Sequence, residues 1–146
     1  MHQRGAVRLC AQGEPVASEI SRLVGVPVAT VPMMIPWEDA ERSPLVLINP
    51  EITEPEGSVV WTEGCLSVPD FEAEVERAER IRLRALDLDG APVDILAEGL
   101  QAVCFQHEVD HLDGILFIDH ISRLKRSRYV HKRKKQLQRD EEEALV

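Results

Sequence analysis

The sequence has no apolar run near the roughly 18 residues that a membrane-spanning helix needs, although 44% of its 146 residues are hydrophobic. Its first ten residues contain no long apolar segment that ends in a small-residue cleavage site, so we expect no secretory signal. These absences favour one soluble domain over residues 1–146. We expect a monomer in a bacterial-type cytoplasm, with an organelle as the alternative compartment.

Cysteine is scarce, and its spacing is not that of a disulfide framework. The three cysteines, Cys10, Cys65 and Cys104, are an odd number, and thiols in a reducing compartment stay free or bind metal. Cys104 lies between apolar neighbours and is typical of a buried small residue. Cys65 remains available as a ligand.

Charge is distributed very unevenly along the chain. Residues 1–122 hold 8 Lys or Arg against 22 Asp or Glu, residues 123–139 hold nine bases and no acid, and four acids follow at 140–143. Ser122 can cap a charged C-terminal helix over 122–146. Its basic segment, residues 123–139, suits a polyanion, or it is a solvated helix face that balances the acidic body.

The periodicity predicts several short strands and a helix along the chain. Residues 1–44 are interrupted by glycine and proline, with a strand only near 28–35. A buried strand is predicted at 45–48, followed by a loop or edge strand to Gly57. A β-hairpin is predicted at 81–87 and 92–96, and a helix over 97–112 that stops at Asp113-Gly114.

The predicted helix carries Gln106-His-Glu-Val-Asp-His111. Histidines four residues apart project from one helix face, which suits two imidazoles that bind one metal ion, and Glu108 is then placed as a catalytic base. The alternative interpretation is three polar residues on a solvated helix face.

A catalytic metal ion normally takes three protein ligands and leaves one position for water. In the metzincin pattern the third ligand would fall at position 117, which is Phe117. A thermolysin-like glutamate would have to come from 141–143, at the charged end of the chain. Cys65, in Thr62-Glu-Gly-Cys-Leu-Ser-Val-Pro69, offers an anionic thiolate and is the best third ligand.

Glu63-Gly-Cys-Leu-Ser67 and Gln106-His-Glu-Val-Asp-His111 together resemble the second and third signature motifs of the peptide deformylases, at a similar separation. The resemblance runs from about residue 45 to about residue 135. Together with the periodicity it implies an α+β fold of short, mostly antiparallel sheets around the central motif helix, with a C-terminal helix outside. Together with the charge it implies ribosomal RNA as the partner of the basic segment at 123–139. It implies a metal ion, Fe²⁺ first and Zn²⁺, Ni²⁺ or Co²⁺ as substitutes, held by Cys65, His107 and His111. It also implies that the substrate is the N-formylmethionyl end of a new polypeptide, from which formate is released.

The resemblance further implies how the reaction is catalysed. A bound divalent ion generates hydroxide near neutral pH for attack on the formyl carbon, and Glu108 takes the proton and returns it to the leaving amine. The backbone N–H of Leu66 and a glutamine stabilise the oxyanion. Ser67 and Asp110 match the family and support the site, Asp110 as a structural partner.

The glutamine ends the family's first motif, Gly-x-Gly-x-Ala-Ala-x-Gln. Gly5-Ala-Val-Arg-Leu-Cys-Ala-Gln12 keeps its first and last positions and places the glutamine at Gln12. Alternatively, Val24-Gly-Val-Pro27 resembles the stretch that follows the motif, and Leu23 then occupies the glutamine's position. Residues 1–44 are therefore interpreted as a truncated or diverged start.

Four functions remain open at this point. The first is an active deformylase, and the second is a weak or inactive deformylase-like protein that binds metal or peptide. The third is a metalloprotease, which would have only Cys65 as a third ligand. The fourth is a structural metal site, which would leave Glu108 without a purpose.

Overall fold

The structure is a computed structural model that describes residues 6–10, 28–32 and 45–144, the first two ranges as backbone only. Its contacts divide the chain into two compact units. Unit 1 comprises Met1–Val59 and Arg77–Ile115, and unit 2 comprises Val60–Glu76 and Leu116–Val146. Among the described residues, no helix is long and apolar enough to cross a membrane. The prediction of a single domain over 1–146 stays a prediction.

The described elements are seven strands, two α-helices and a short 3₁₀ helix. The strands are β1 (Ala6–Cys10), β2 (Val28–Pro32), β3 (Leu45–Glu56), β4 (Val59–Cys65), β5 (Val68–Arg77), β6 (Arg80–Leu86) and β7 (Pro92–Glu98). The helices are α1 (Gly99–Leu112) and α2 (Arg123–Ala144), with the 3₁₀ turn at Phe117–Asp119. The α+β class and the predicted β2, hairpin and helices are confirmed.

Unit 1 is built on a five-stranded sheet in the order β2-β1-β3-β6-β7. The β1–β2 pair is parallel and the other pairs are antiparallel. Along the β6–β7 hairpin, alternate residues of β6 are buried: Ile81, Leu83 and Ala85. The Asp87 carboxylate accepts the Asp89 and Ala91 N–H groups at 2.9 and 2.8 Å, which closes the hairpin turn.

Strand β3 continues beyond the apolar run at 45–48 into the polar stretch, for which the sequence predicted a loop or an edge strand. The apolar run at 45–48 pairs with β1 on one side, and the polar continuation pairs with β6 as far as Glu56. Asn49 and Glu54 have positive φ angles of 50° and 53°, and they fall in the two irregular stretches of the β3–β6 register. Because bulges tolerate such residues, the strand passes through Pro50 and continues.

Helix α1 packs against β1, β3, β6 and β7. Its Ala102, Phe105 and Val109 join the strand residues Leu47, Ile81, Leu83, Ala85 and Ala97 in one buried cluster. The helix ends at Gly114 (φ 74°), where the Gly114 and Ile115 N–H groups donate to the carbonyls of His111 and Asp110. This is the Schellman arrangement, and it confirms the predicted stop.

Unit 2 contains the β4–β5 hairpin, the 3₁₀ turn and α2. Val68, Val75, Phe117 and Ile118 form its buried core. Ser122 caps α2 by accepting the Lys125 N–H at 3.3 Å, as predicted. Tyr129 packs against Phe71 with ring centroids 4.8 Å apart and donates its hydroxyl to the Pro69 carbonyl at 3.2 Å. The rest of α2 is largely exposed.

Candidate metal centre

The two motif histidines lie together on α1, within unit 1. Their Nε2 atoms are 3.1 Å apart, and the two rings are nearly perpendicular at 79°. Two nitrogens that bind one tetrahedral ion at about 2.1 Å are about 3.4 Å apart. The pair therefore has the spacing of two ligands of a single ion, as the four-residue interval predicts.

Glu108 lies between the two histidines in sequence and is almost completely buried, with 3% of its surface exposed. Its Oε2 atom is inaccessible to solvent. A solvated helix face, the alternative interpretation, would leave this side chain in water. A buried carboxylate on the helix that carries two half-buried histidines is instead suited to proton transfer.

Two other residues of the motif, Gln106 and Asp110, bind α1 to the end of β5 and to the residue that follows it. The Gln106 side chain accepts the Ala78 N–H at 3.0 Å and donates to the Ala78 carbonyl at 2.9 Å. Asp110 forms an ion pair with Arg77, and their side chains are 18% and 4% exposed. The expectation that Asp110 has a structural partner agrees with this pair.

Arg77 and Ala78 are residues that the sequence did not single out. They lie 33 and 28 positions from their partners on α1, and no local pattern encodes a contact over that distance. The only available indication was that Arg77 belongs to the stretch that resembles the family.

Cys65, Leu66 and Ser67 lie in unit 2, at the end of β4 and in the turn that leads to β5. Cys65 is half-buried and packs against the unit 2 core. The Leu66 side chain is 87% exposed, so any role of this residue rests on its backbone. Because Cys65 and the histidines belong to different units, a shared metal ion is a proposal.

The other residues that the sequence singled out have the following positions. Phe117, at the metzincin ligand position, is buried in the unit 2 core. The glutamates 141–143 are exposed near the end of α2. Cys104 is half-buried on α1. Gln12 and Leu23 lie outside the described residues, and so does the side chain of Cys10.

The family model that matches this chain is that of the polypeptide deformylases, over residues 22–127. A peptide deformylase of Alkalilimnicola ehrlichii is 60% identical over 98 residues, which are 67% of this chain and 55% of that protein. One from Mesorhizobium japonicum is 51% identical over 113 residues, 77% of this chain and 64% of that protein. The chain thus spans about 55% to 64% of the length of these relatives.

Solved structures agree with the sequence matches. Peptide deformylase from Thermus thermophilus superposes with a TM-score of 0.60 at 45% identity, covering 70% of this chain and 62% of that one. Peptide deformylase 1B of Arabidopsis thaliana superposes with a TM-score of 0.61 at 34% identity, covering 73% and 59%. The matched residues include both motifs that resemble the family, and the chain belongs to the polypeptide deformylase family.

Proposed function

We propose that this chain is a metal-dependent hydrolase that removes the formyl group from the N-terminal formyl-methionine of nascent polypeptides and releases formate. The observation that carries the proposal is the pair of histidine nitrogens 3.1 Å apart on the helix that also holds buried Glu108. Membership of the deformylase family indicates the proposed substrate. The relatives named above are themselves called peptide deformylases.

The proposed ligands are Cys65, His107 and His111. Each offers one ligand atom and each is half-buried, which suits a site that excludes bulk water but admits a substrate. A thiolate with two imidazoles fits a first-row divalent ion, and Fe²⁺ is the proposed one, ahead of Zn²⁺, Ni²⁺ and Co²⁺. Three protein ligands leave one position open, as catalytic sites require.

A bound divalent ion would supply Lewis-acid chemistry and lower the pKa of water. The other steps belong to the protein. Glu108 accepts the proton from the water whose oxygen adds to the formyl carbon. The carbon–nitrogen bond then breaks, formate leaves, and Glu108 returns the proton to the amine of methionine. The Leu66 N–H, with Gln12 if the first alignment is right, donates to the oxyanion.

A second candidate function is a weak or inactive relative that binds metal or peptide without turnover. The family match begins at residue 22, so Gln12 lies outside it, and the other alignment puts Leu23 where the glutamine is expected. Loss of one oxyanion donor costs about a hundredfold or more in rate. The two functions differ in turnover and share the metal site.

The deciding experiment is formate release from a formyl-methionyl tripeptide by protein loaded anaerobically with Fe²⁺. Glu108→Ala removes the proposed base and should lower the rate by about 10² to 10⁴, with the metal content unchanged. Glu51→Ala, which removes an exposed glutamate of the same unit, is the matched control and should retain the rate. Equal background rates for the wild type and Glu108→Ala would refute the proposed deformylase activity and leave the second candidate function.

The proposed partner of the basic segment is ribosomal RNA. Helix α2 has no buried residue, eight of the nine bases at 123–139 are exposed, and nascent chains emerge from the ribosome. Among the ion pairs of the described residues, one base of this segment is paired with an acid, Arg126 with Asp119 at 3.0 Å. We propose that the protein acts as a monomer in a bacterial-type cytoplasm.

A further inference from the structure

The 77–79 segment consists of the last residue of β5 and the two residues that link it to β6. It contacts α1 at three points along the helix. The Gly99 N–H donates to the Glu79 carbonyl at 2.9 Å, where the helix begins. Gln106 binds both polar groups of Ala78 in the middle of the helix. Asp110 pairs with Arg77 near its end. All three contacts lie within unit 1.

The Gln106 amide pairs with Ala78 as a neighbouring β-strand would, accepting from its N–H and donating to its carbonyl. Its Nε2 also donates to the Ala102 carbonyl one turn earlier at 2.9 Å. The three bonds fix both the position and the roll of this side chain. Because an amide carries its donor and acceptor in one plane, no residue of similar length except glutamine can make the full set.

The Arg77–Asp110 pair is buried enough for its geometry to matter. Arg77 is almost inaccessible, and breaking a buried ion pair by removal of one partner is strongly destabilising. Gln106 and Asp110 are four residues apart and form one row along α1, while His107 and His111 form the adjacent row. Whatever holds the first row therefore sets the direction of the second.

We propose that Gln106 and the Arg77–Asp110 pair are positioning residues that fix the rotation of α1 and so aim the two imidazoles at one metal ion. The inference rests on the proposed metal site. The imidazole nitrogens lie about 7 Å from the helix axis, so a roll of about 10° moves them by about 1 Å. Metal ligands must be held within about 0.5 Å, so a small roll would misplace them.

The test measures Co²⁺ affinity by competition and the Co²⁺ visible spectrum, with no turnover required. Asp110→Ala should weaken Co²⁺ binding by about 10- to 100-fold, the range found when the partners of metal ligands are lost, and should change the ligand-field bands. The matched control is Asp94→Ala. It removes the carboxylate of another Arg–Asp pair of the same unit, which is much more exposed, and should bind Co²⁺ within twofold of the wild type.

A conservative series separates positioning from general destabilisation. Arg77→Lys keeps the buried cation and should recover most of the affinity that Arg77→Met loses, while Gln106→Met tests the second contact without changing charge. All variants are measured well below the melting temperature of their metal-free forms. If Asp110→Ala does not fold, Gln106→Met carries the test.

Two results would overturn the proposal. One is folded Arg77→Met and Gln106→Met protein with Co²⁺ affinity and spectrum unchanged from the wild type. The other is a wild-type protein that binds no Co²⁺, and this result would also refute the proposed metal site. Tight Co²⁺ binding without formate release would refute the deformylase activity alone, because the positioning effect is still read from affinity.

Discussion

Two arginine–aspartate pairs of unit 1, Arg77–Asp110 and Arg82–Asp94, differ in their contribution to stability because their burial differs. The side chains of Arg77 and Asp110 are 4% and 18% exposed, and those of Arg82 and Asp94 are 33% and 45% exposed. Loss of one partner of the first pair breaks an ion pair in the interior, at a cost of several kcal/mol. The second pair is in contact with water and salt, so its contribution is small.

The exposed pair gives a pH prediction at the residue scale. Hydrogen bonds from the Arg82 guanidinium, at 2.8 and 3.0 Å, hold the pKa of the Asp94 carboxyl below its ordinary value of 3.8. A folded-state pKa that is depressed stabilises the protein above the unfolded value and loses that effect as the pH falls through the folded value. We therefore expect the stabilisation to be complete above about pH 4 and to disappear below it.

Carboxyl chemical shifts followed by NMR during an acid titration would check this. Asp94 should titrate below 3.8, and Arg82→Gln should move its midpoint upward. An Asp94 midpoint that is unchanged by Arg82→Gln would contradict the assigned cause.

At the scale of elements, α1 ends where Gly114 adopts φ 74°. A Cβ built at Gly114 would meet no atom within 4 Å, so substitution there costs backbone energy and nothing else. We expect Gly114→Ala to lower the free energy of unfolding by about 1 kcal/mol, whereas Gly114→Asn should cost less because asparagine tolerates this conformation. Urea denaturation midpoints measure both, and an alanine variant as stable as the wild type would contradict the argument.

The sequence predicted those elements in which the apolar residues recur with a single period along the whole element. The alternation at 81–86, the apolar positions of α1 and its glycine stop are all readable in the sequence, and so is the Ser122 cap. For the polar half of β3 the sequence left a loop or an edge strand open, because bulges at Asn49 and Glu54 interrupt the alternation that identifies a strand. The proximity of the two histidines follows from their spacing on a helix. The role of the 77–79 segment depends on contacts with residues about 30 positions away, and these are visible only in the folded structure.

At the scale of the whole molecule, the charge segregation noted in the sequence is concentrated in α2. Substitution of the four bases at 132–135 by glutamine removes charge while keeping Tyr129, which packs α2 against Phe71 and Pro69 of the β4–β5 hairpin. If these bases contact phosphates, the dependence of ribosome affinity on the logarithm of salt concentration should flatten by up to about 3. Sedimentation with ribosomes at several salt concentrations measures this slope.

The matched control for that experiment is glutamine substitution of the glutamates at 141–143, which changes three charges on the same helix with the opposite sign. It should leave the slope unchanged or make it steeper. An unchanged slope in the variant at 132–135 would support the alternative in which the basic segment only balances the acidic body.

The order of charges along α2 has a consequence for the helix itself. The peptide dipoles make the start of a helix positive and its end negative, yet Arg123, Lys125 and Arg126 occupy the start of α2 and the acids 140–143 its last turns. Each such mismatch costs about 0.3 to 1 kcal/mol at low ionic strength. A polyanion that neutralises the first turns would remove part of that cost, so binding and helix formation in α2 are thermodynamically linked.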